Sequence, residues 1–146
     1  MKKVKLFINP ILYYMEDSSG FASSYYIDLF KEKVVSPEVD DDVSFEDVAN
    51  KERYFYIKPI TSHEGYEIMQ DFAALEESDE IQAHLFDVLQ QKKPFLNFKN
   101  AIADYADIQK KYYEYKDNRL KEILRNQLAE CGYELEEKTL SQAEKD

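Results

Sequence analysis

Tryptophan is missing from this sequence, cysteine occurs once and glycine three times. A lone Cys131 rules out an internal disulfide and any cysteine-based metal cluster within one chain, and it fits a reducing compartment. So few glycines leave no Gly-rich loop to cradle phosphate, and no serine stands in a nucleophile-elbow pattern. No run approaches the ~20 apolar residues needed to span a bilayer. The opening segment imitates an export signal, but Lys5, Asn9 and Pro10 interrupt its apolar run. Glu16 and Asp17 then follow where small residues should precede cleavage, so a soluble, cytoplasmic protein is expected.

Cations are also scarce. Nineteen Lys and Arg stand against thirty Asp and Glu, a formal charge of −11 that repels phosphate backbones and anionic lipid headgroups. Neither nucleic acid nor membrane is therefore an expected partner, whereas a basic protein is. The same charge also serves plain solubility. What the chain has in abundance is rings: 12 Tyr and 9 Phe must fill much of the interior, with hydroxyls left at its margins. At 146 residues one core is enough, and a single domain over residues 1–135 with a frayed acidic tail over 136–146 is expected.

The pattern along the chain predicts an α+β fold. Asn9 and Pro10 start a short helix over 10–16, which Asp17-Ser18-Ser19-Gly20 stops. Residues 23–30 and 34–35 read as a hairpin, although Lys31-Glu32-Lys33 offers its turn no glycine. Residues 36–52 form an acidic loop holding a helical turn capped by Ser44 with Asp47, and 53–58 make a third strand ended by Pro59. A bundle of about four helices follows. Thr61 and Glu64 form a capping box before Ile68, Met69, Phe72 and Leu75. Ser78 caps a helix carrying Ile81, Leu85, Val88 and Leu89, and Phe95, Phe98, Ile102 and Tyr105 mark a shorter one. A long amphipathic helix over 107–131 is closed by Gly132, with Arg119 alone out of character on its apolar stripe.

Catalytic patterns fail on inspection. His63-Glu64 begins like a zinc-protease motif, yet Glu67 stands where the second histidine is required. His63 and His84 make a metal site only if the fold brings them together with a carboxylate. Asp40-Asp41-Asp42 lacks the glycine turn of a calcium loop. The acidic pairs Glu76/Glu77 and Glu136/Glu137 lie in polar segments that cannot lift a carboxyl pKa for acid–base work. Lys92-Lys93-Pro94-Phe95-Leu96-Asn97-Phe98-Lys99 joins cations to rings as RNA-binding surfaces do, but helix-end lysines beside core phenylalanines account for it equally. Cys131, with no histidine beside it, reads as a small buried or half-buried apolar residue.

Residues 54–72, Tyr-Phe-Tyr-Ile-Lys-Pro-Ile-Thr-Ser-His-Glu-Gly-Tyr-Glu-Ile-Met-Gln-Asp-Phe, together with Lys93-Pro94-Phe95-Leu96-Asn97-Phe98-Lys99, resemble the bacterial uncharacterised protein family 0158. In that family a strand leads into a Pro-Ile-x-Ser-His-Glu helix start, and a later Phe-x-x-Phe-Lys precedes a long aromatic helix. The resemblance implies one compact domain and carries no activity with it. If the family shares a binding site, Ser62, His63, Glu64, Phe95, Phe98 and Lys99 are its positions here; otherwise they cap helices and fill the core.

The leading expectation is a non-enzymatic protein-interaction or regulatory domain without metal or cofactor. Its candidate partner surface is the acidic loop, with Asp40, Asp41 and Asp42, and the tyrosines of the long helix, with Tyr113. Two alternatives stand beside it: a ligand-binding or hydrolase-like pocket near His63, Glu64 and Lys99, and an acidic mimic of nucleic acid. The sequence leaves the oligomeric state open.

Overall fold

A computed structural model describes residues 1–16 and 24–139. Its elements run β1 (Lys2–Leu6), α1 (Ile8–Glu16), β2 (Tyr26–Asp28), β3 (Lys33–Val35), α2 (Phe45–Val48), β4 (Tyr54–Tyr56), α3 (Ser62–Ala74), α4 (Asp79–Leu89), α5 (Pro94–Ala103), α6 (Ala106–Glu130) and β5 (Tyr133–Glu137). The fold is α+β as expected, with the antiparallel sheet β3-β2-β4 followed by the helices α3 to α6. The chain divides into two compact units, one built from residues up to Ile60 together with those from Leu120 onward, the other from Thr61–Arg119.

In the first unit, β2 pairs with β3 through Tyr26↔Val35 and with β4 through Tyr26↔Tyr56. The hairpin turn solves its lack of glycine with Glu32, whose φ of 56° is left-handed. That conformation is uncommon outside glycine, asparagine and aspartate. Period-two alternation sends Ile27 into the core, while Tyr26, Tyr54 and Tyr56 share the opposite face. Val43 and Val48, from the acidic loop, pack with Val35 and Tyr54 against that face, and Tyr26 joins them. The two valines therefore fasten an otherwise hydrophilic loop to the sheet.

A second sheet was not foreseen. β1 and β5 pair in parallel, from Lys2↔Tyr133 to Leu6↔Glu137. Val4 and Leu6 point into the core while Lys3 and Lys5 stay in water. Gly132 turns the chain from α6 into β5 at φ 86°, the left-handed conformation that follows many helices. Glu136 and Glu137, expected at the head of a frayed tail, are thus strand residues. Lys3 pairs with Glu136 at 3.3 Å, and Lys121 and Arg125 each reach Glu137 at 3.1 Å. The rest of the expected tail from residue 140, and the stop at Asp17-Ser18-Ser19-Gly20, lie outside the described residues.

In the second unit, α3 buries Ile68, Met69 and Phe72, α4 buries Leu85, Val88 and Leu89, and α5 buries Phe98 and Ile102. Leu75 departs from the expected stripe: it stands at the C-cap of α3 and is exposed. Tyr112 of α6 meets the edges of Phe72 and Phe98 with ring centroids 5.2 and 5.0 Å apart, a favoured aromatic geometry. Arg119 is reconciled with its apolar stripe by Asp71 at 2.9 Å and the Tyr115 hydroxyl at 2.8 Å. Asp71, the Tyr115 hydroxyl and nearby negative charge hold its guanidinium pKa up against partial burial. Among the described residues no helix is long and apolar enough to cross a membrane.

Candidate functional site

The motif residues take mostly local roles. Thr61 is the N-cap of α3: its hydroxyl accepts from the Glu64 amide at 3.1 Å, while the Glu64 carboxylate accepts from the Thr61 amide at 3.0 Å. Ser62 is exposed, and His63 is exposed and paired with Glu67 one turn along its own helix at 2.8 Å. Three residues apart on α5, Phe98 is buried in the second unit's core and Phe95 is 45% exposed, with Lys99 in water. No hydrogen bond or ion pair among the described residues joins His63 or Glu64 to Lys99. Nor does any group of three His, Cys, Asp or Glu among them converge as a metal site would need.

Tyr113, on α6, is 41% exposed, its ring against Tyr112 at 5.5 Å. The aspartate run splits in function. Asp40 accepts from the Ser36 amide at 2.8 Å, closing the turn that starts the acidic loop, whereas Asp41 and Asp42 project into water. Cys131 is exposed rather than buried, because it stands at the turn between α6 and Gly132, past the last buried position of that helix, Leu128.

A different constellation gathers on the first unit. A cleft of about 610 Å³ lies over the outer face of the sheet, lined by Tyr26, Tyr54 and Tyr56 on one side and by Phe45 and Val48 of α2 on the other, with Cys131 at its margin. Its size falls within the range of sites that hold a ligand or a few side chains. Phe45 is 62% exposed, and Tyr56 nearly half. Ring pairs hold the floor, with the cross-strand partners Tyr26 and Tyr56 at 5.3 Å.

Phe45 is held in place by its neighbours rather than by burial. Ser44 caps α2 by accepting from the Asp47 amide, and the Asp47 carboxylate accepts from the Ser44 amide, both at 3.0 Å. The capping box and the buried Val48 fix the turn, so the ring at its first position stays in solvent. In sequence, the residues 38–50 on either side of it include Glu38, Asp40, Asp41, Asp42, Glu46 and Asp47 but no lysine or arginine. Among the described residues that line the cleft, Lys51 is the one that carries a charge.

Below the cleft, Asp28 is 1% exposed and accepts from Arg53 at two points, Nε to Oδ1 at 3.1 Å and Nη2 to Oδ2 at 2.9 Å. The Phe30 and Lys31 amides also donate to its Oδ1. Burial pushes the Asp28 carboxyl up, but the Arg53 and amide bonds outweigh it and hold the carboxyl below its ordinary value. Bonding to Asp28 in turn raises Arg53. The guanidinium lies over the rings of Phe30 and Tyr54 at 5.4 and 5.2 Å, so one ion pair sets both the hairpin turn and a cleft wall. Beside the sheet, Tyr14 and Tyr25 stack at 3.7 Å, and burial together with the neighbouring Tyr25 raises the Tyr14 phenol.

Sequence reasoning passed over Phe45, the paired tyrosines and the Asp28–Arg53 pair. Phe45 had a signal: a large ring at the first position of a capped turn, amid carboxylates, has little apolar surface of its own to hide under. The other two depend on strand register, which spacing alone does not give.

The geometry can be set beside known proteins. The family model described as "Uncharacterised protein family (UPF0158)" matches residues 7–139. A UPF0158 protein of Pseudomonas aeruginosa is 31% identical over 103 residues, which cover 67% of this chain and 66% of that relative's length. No solved structure matches the chain significantly.

Proposed function

The chain belongs to the Uncharacterised protein family (UPF0158), and from that premise we propose that it is a non-enzymatic, cytoplasmic protein-interaction domain working through the cleft on its first unit. The occupant is a segment of a protein that presents lysine or arginine beside one large apolar side chain. The observation that carries this reading is the exposed Phe45, which lines one cleft with three tyrosines and stands in a loop whose Asp41, Asp42 and Glu46 are exposed near it in sequence.

An exposed apolar patch bordered by polar residues commonly marks a protein contact. Aromatic rings offer large contact area at little entropic cost, and carboxylates around them select a basic partner and speed its approach. The local roles of Glu64 and Phe98 favour a structural reading of the family motif over a pocket built from it.

Cross-linked capture from native lysate at about 50 mM and about 500 mM salt tests the proposal, with the wild type compared with Phe45→Ser and with the double variant Asp41→Asn, Asp42→Asn. The expected result is a partner retained at low salt by the wild type and lost from both variants. Retention that is indifferent to salt and to both variants would overturn the reading, as would the absence of any retained protein.

A further inference from the structure

The second unit carries a surface complementary to that cleft. From Thr61 to Gln91 the chain has no lysine or arginine; its cations then return at Lys92, Lys93 and Lys99, around the start of α5. There Phe95 and Leu96 are 45% and 52% exposed. The approach is shaped for it: Lys93 takes the left-handed conformation at φ 57°, and the Asn97 side chain donates to the Lys92 carbonyl at 2.8 Å and the Gln91 side chain at 3.2 Å. This turn holds lysines next to an exposed ring on an otherwise acidic protein.

We propose that the cleft takes, as its protein occupant, the basic, ring-bearing start of α5 from a second copy of this chain. The proposal rests on the interaction reading above and names its partner. Phe95 and Leu96 supply the apolar side chains that the tyrosine floor and Phe45 would cover, and Lys92, Lys93 and Lys99 meet Asp41, Asp42 and Glu46. Charge complementarity favours this occupant over a nucleic acid, because residues 61–91 before the patch carry carboxylates but no lysine or arginine and the chain has a charge of −11. Each copy carries both surfaces, so the contact is head-to-tail and either closes into a ring or extends.

Sedimentation velocity over a wide concentration range, at low and high salt, tests this with the full chain. The wild type is expected to exceed the mass of one chain at about 50 mM salt and to fall back towards it at about 500 mM. A patch-reversed variant (Lys92→Glu, Lys93→Glu, Lys99→Glu) and a loop-reversed variant (Asp41→Lys, Asp42→Lys) should each stay at one-chain mass. Their equimolar mixture should associate again, since the loop of the first still fits the patch of the second. All of these positions are exposed, and unchanged thermal midpoints would establish that both variants fold.

A labelled peptide of residues 91–100 separates the inference from the reading beneath it. Its binding to the patch-reversed protein should weaken at least tenfold when Phe45→Ser is added. If the peptide binds in that way but the wild type keeps one-chain mass throughout, the second-copy proposal falls and the cleft reading stands. If the chain associates while the peptide ignores the cleft, both are wrong about the surface. One-chain mass combined with retention on single-stranded RNA that Lys92→Glu, Lys93→Glu abolishes would also overturn the proposal.

Discussion

Asp28, the last residue of β2, and Arg53, the residue before β4, share two hydrogen bonds, with the carboxylate buried and the guanidinium spread over two rings. The pair does more than neutralise charge. Asp28 also holds the amides of Phe30 and Lys31, which start the hairpin turn, so its loss strands several donors together. Asp28→Ala should destabilise the protein by roughly 2–3 kcal/mol, read from urea unfolding followed by far-ultraviolet dichroism. Arg53→Met, which keeps an apolar stem near Phe30 and Tyr54, should cost less than Arg53→Ala. The reverse order would mean that the ring contacts are incidental.

The same pair sets a pH dependence. The folded carboxyl lies below its ordinary value, so its contribution is complete above the unfolded value, around pH 4, and is lost as pH falls through the lower folded value. The difference in urea midpoint between the wild type and Asp28→Asn should hold steady from about pH 5 to pH 8 and shrink below about pH 4. A difference that grows on acidification would contradict the assignment.

Within the family motif, two phenylalanines three residues apart should behave oppositely. Phe98 is 1% exposed and meets the edge of Tyr112, so Phe98→Ala should cost about 3–5 kcal/mol. Phe95→Ala should move stability by no more than about 0.5 kcal/mol while changing association. Thermal unfolding of the two variants measures the contrast. Equal losses would place Phe95 in the core.

The start of α3 offers a finer comparison. Thr61→Ala removes half of a capping box and should cost about 1 kcal/mol. His63→Ala, which removes an exposed pair with Glu67, should stay within about 0.5 kcal/mol. A larger loss at His63, measured by chemical denaturation near neutral pH, would point to a role beyond that surface pair.

Local rules read well from this sequence because their partners lie within one helical turn. Both capping boxes, Ser44 with Asp47 and Thr61 with Glu64, were legible for that reason, as was Ser78, whose hydroxyl accepts from the Ile81 amide. The long amphipathic helix was legible from its period, and its bounds of Ala106–Glu130 lie within a residue of those expected. The hairpin was legible from its branched and aromatic residues; its turn was not, because Glu32 adopts a conformation usually left to glycine. The parallel sheet was hidden by distance. Val4 and Leu6 alternate with lysines as an edge strand should, but nothing near them announces a partner at Tyr133–Glu137. The cleft was hidden for a related reason: its rings are separate in sequence, and register alone gathers Tyr26 with Tyr56.

The pairing of β1 with β5 also fixes a sequence of events in time. A ribosome delivers Lys2–Leu6 about 130 residues ahead of Tyr133–Glu137, at a pace of roughly 5–20 residues per second. Val4 and Leu6 therefore wait on the order of ten seconds for the strand that completes their sheet. Thr61–Arg119, by contrast, is one uninterrupted stretch and can close its own core while the rest is still being made. For that interval the nascent first unit offers an unpaired strand edge, the kind of surface chaperones attend to and neighbouring nascent chains can capture.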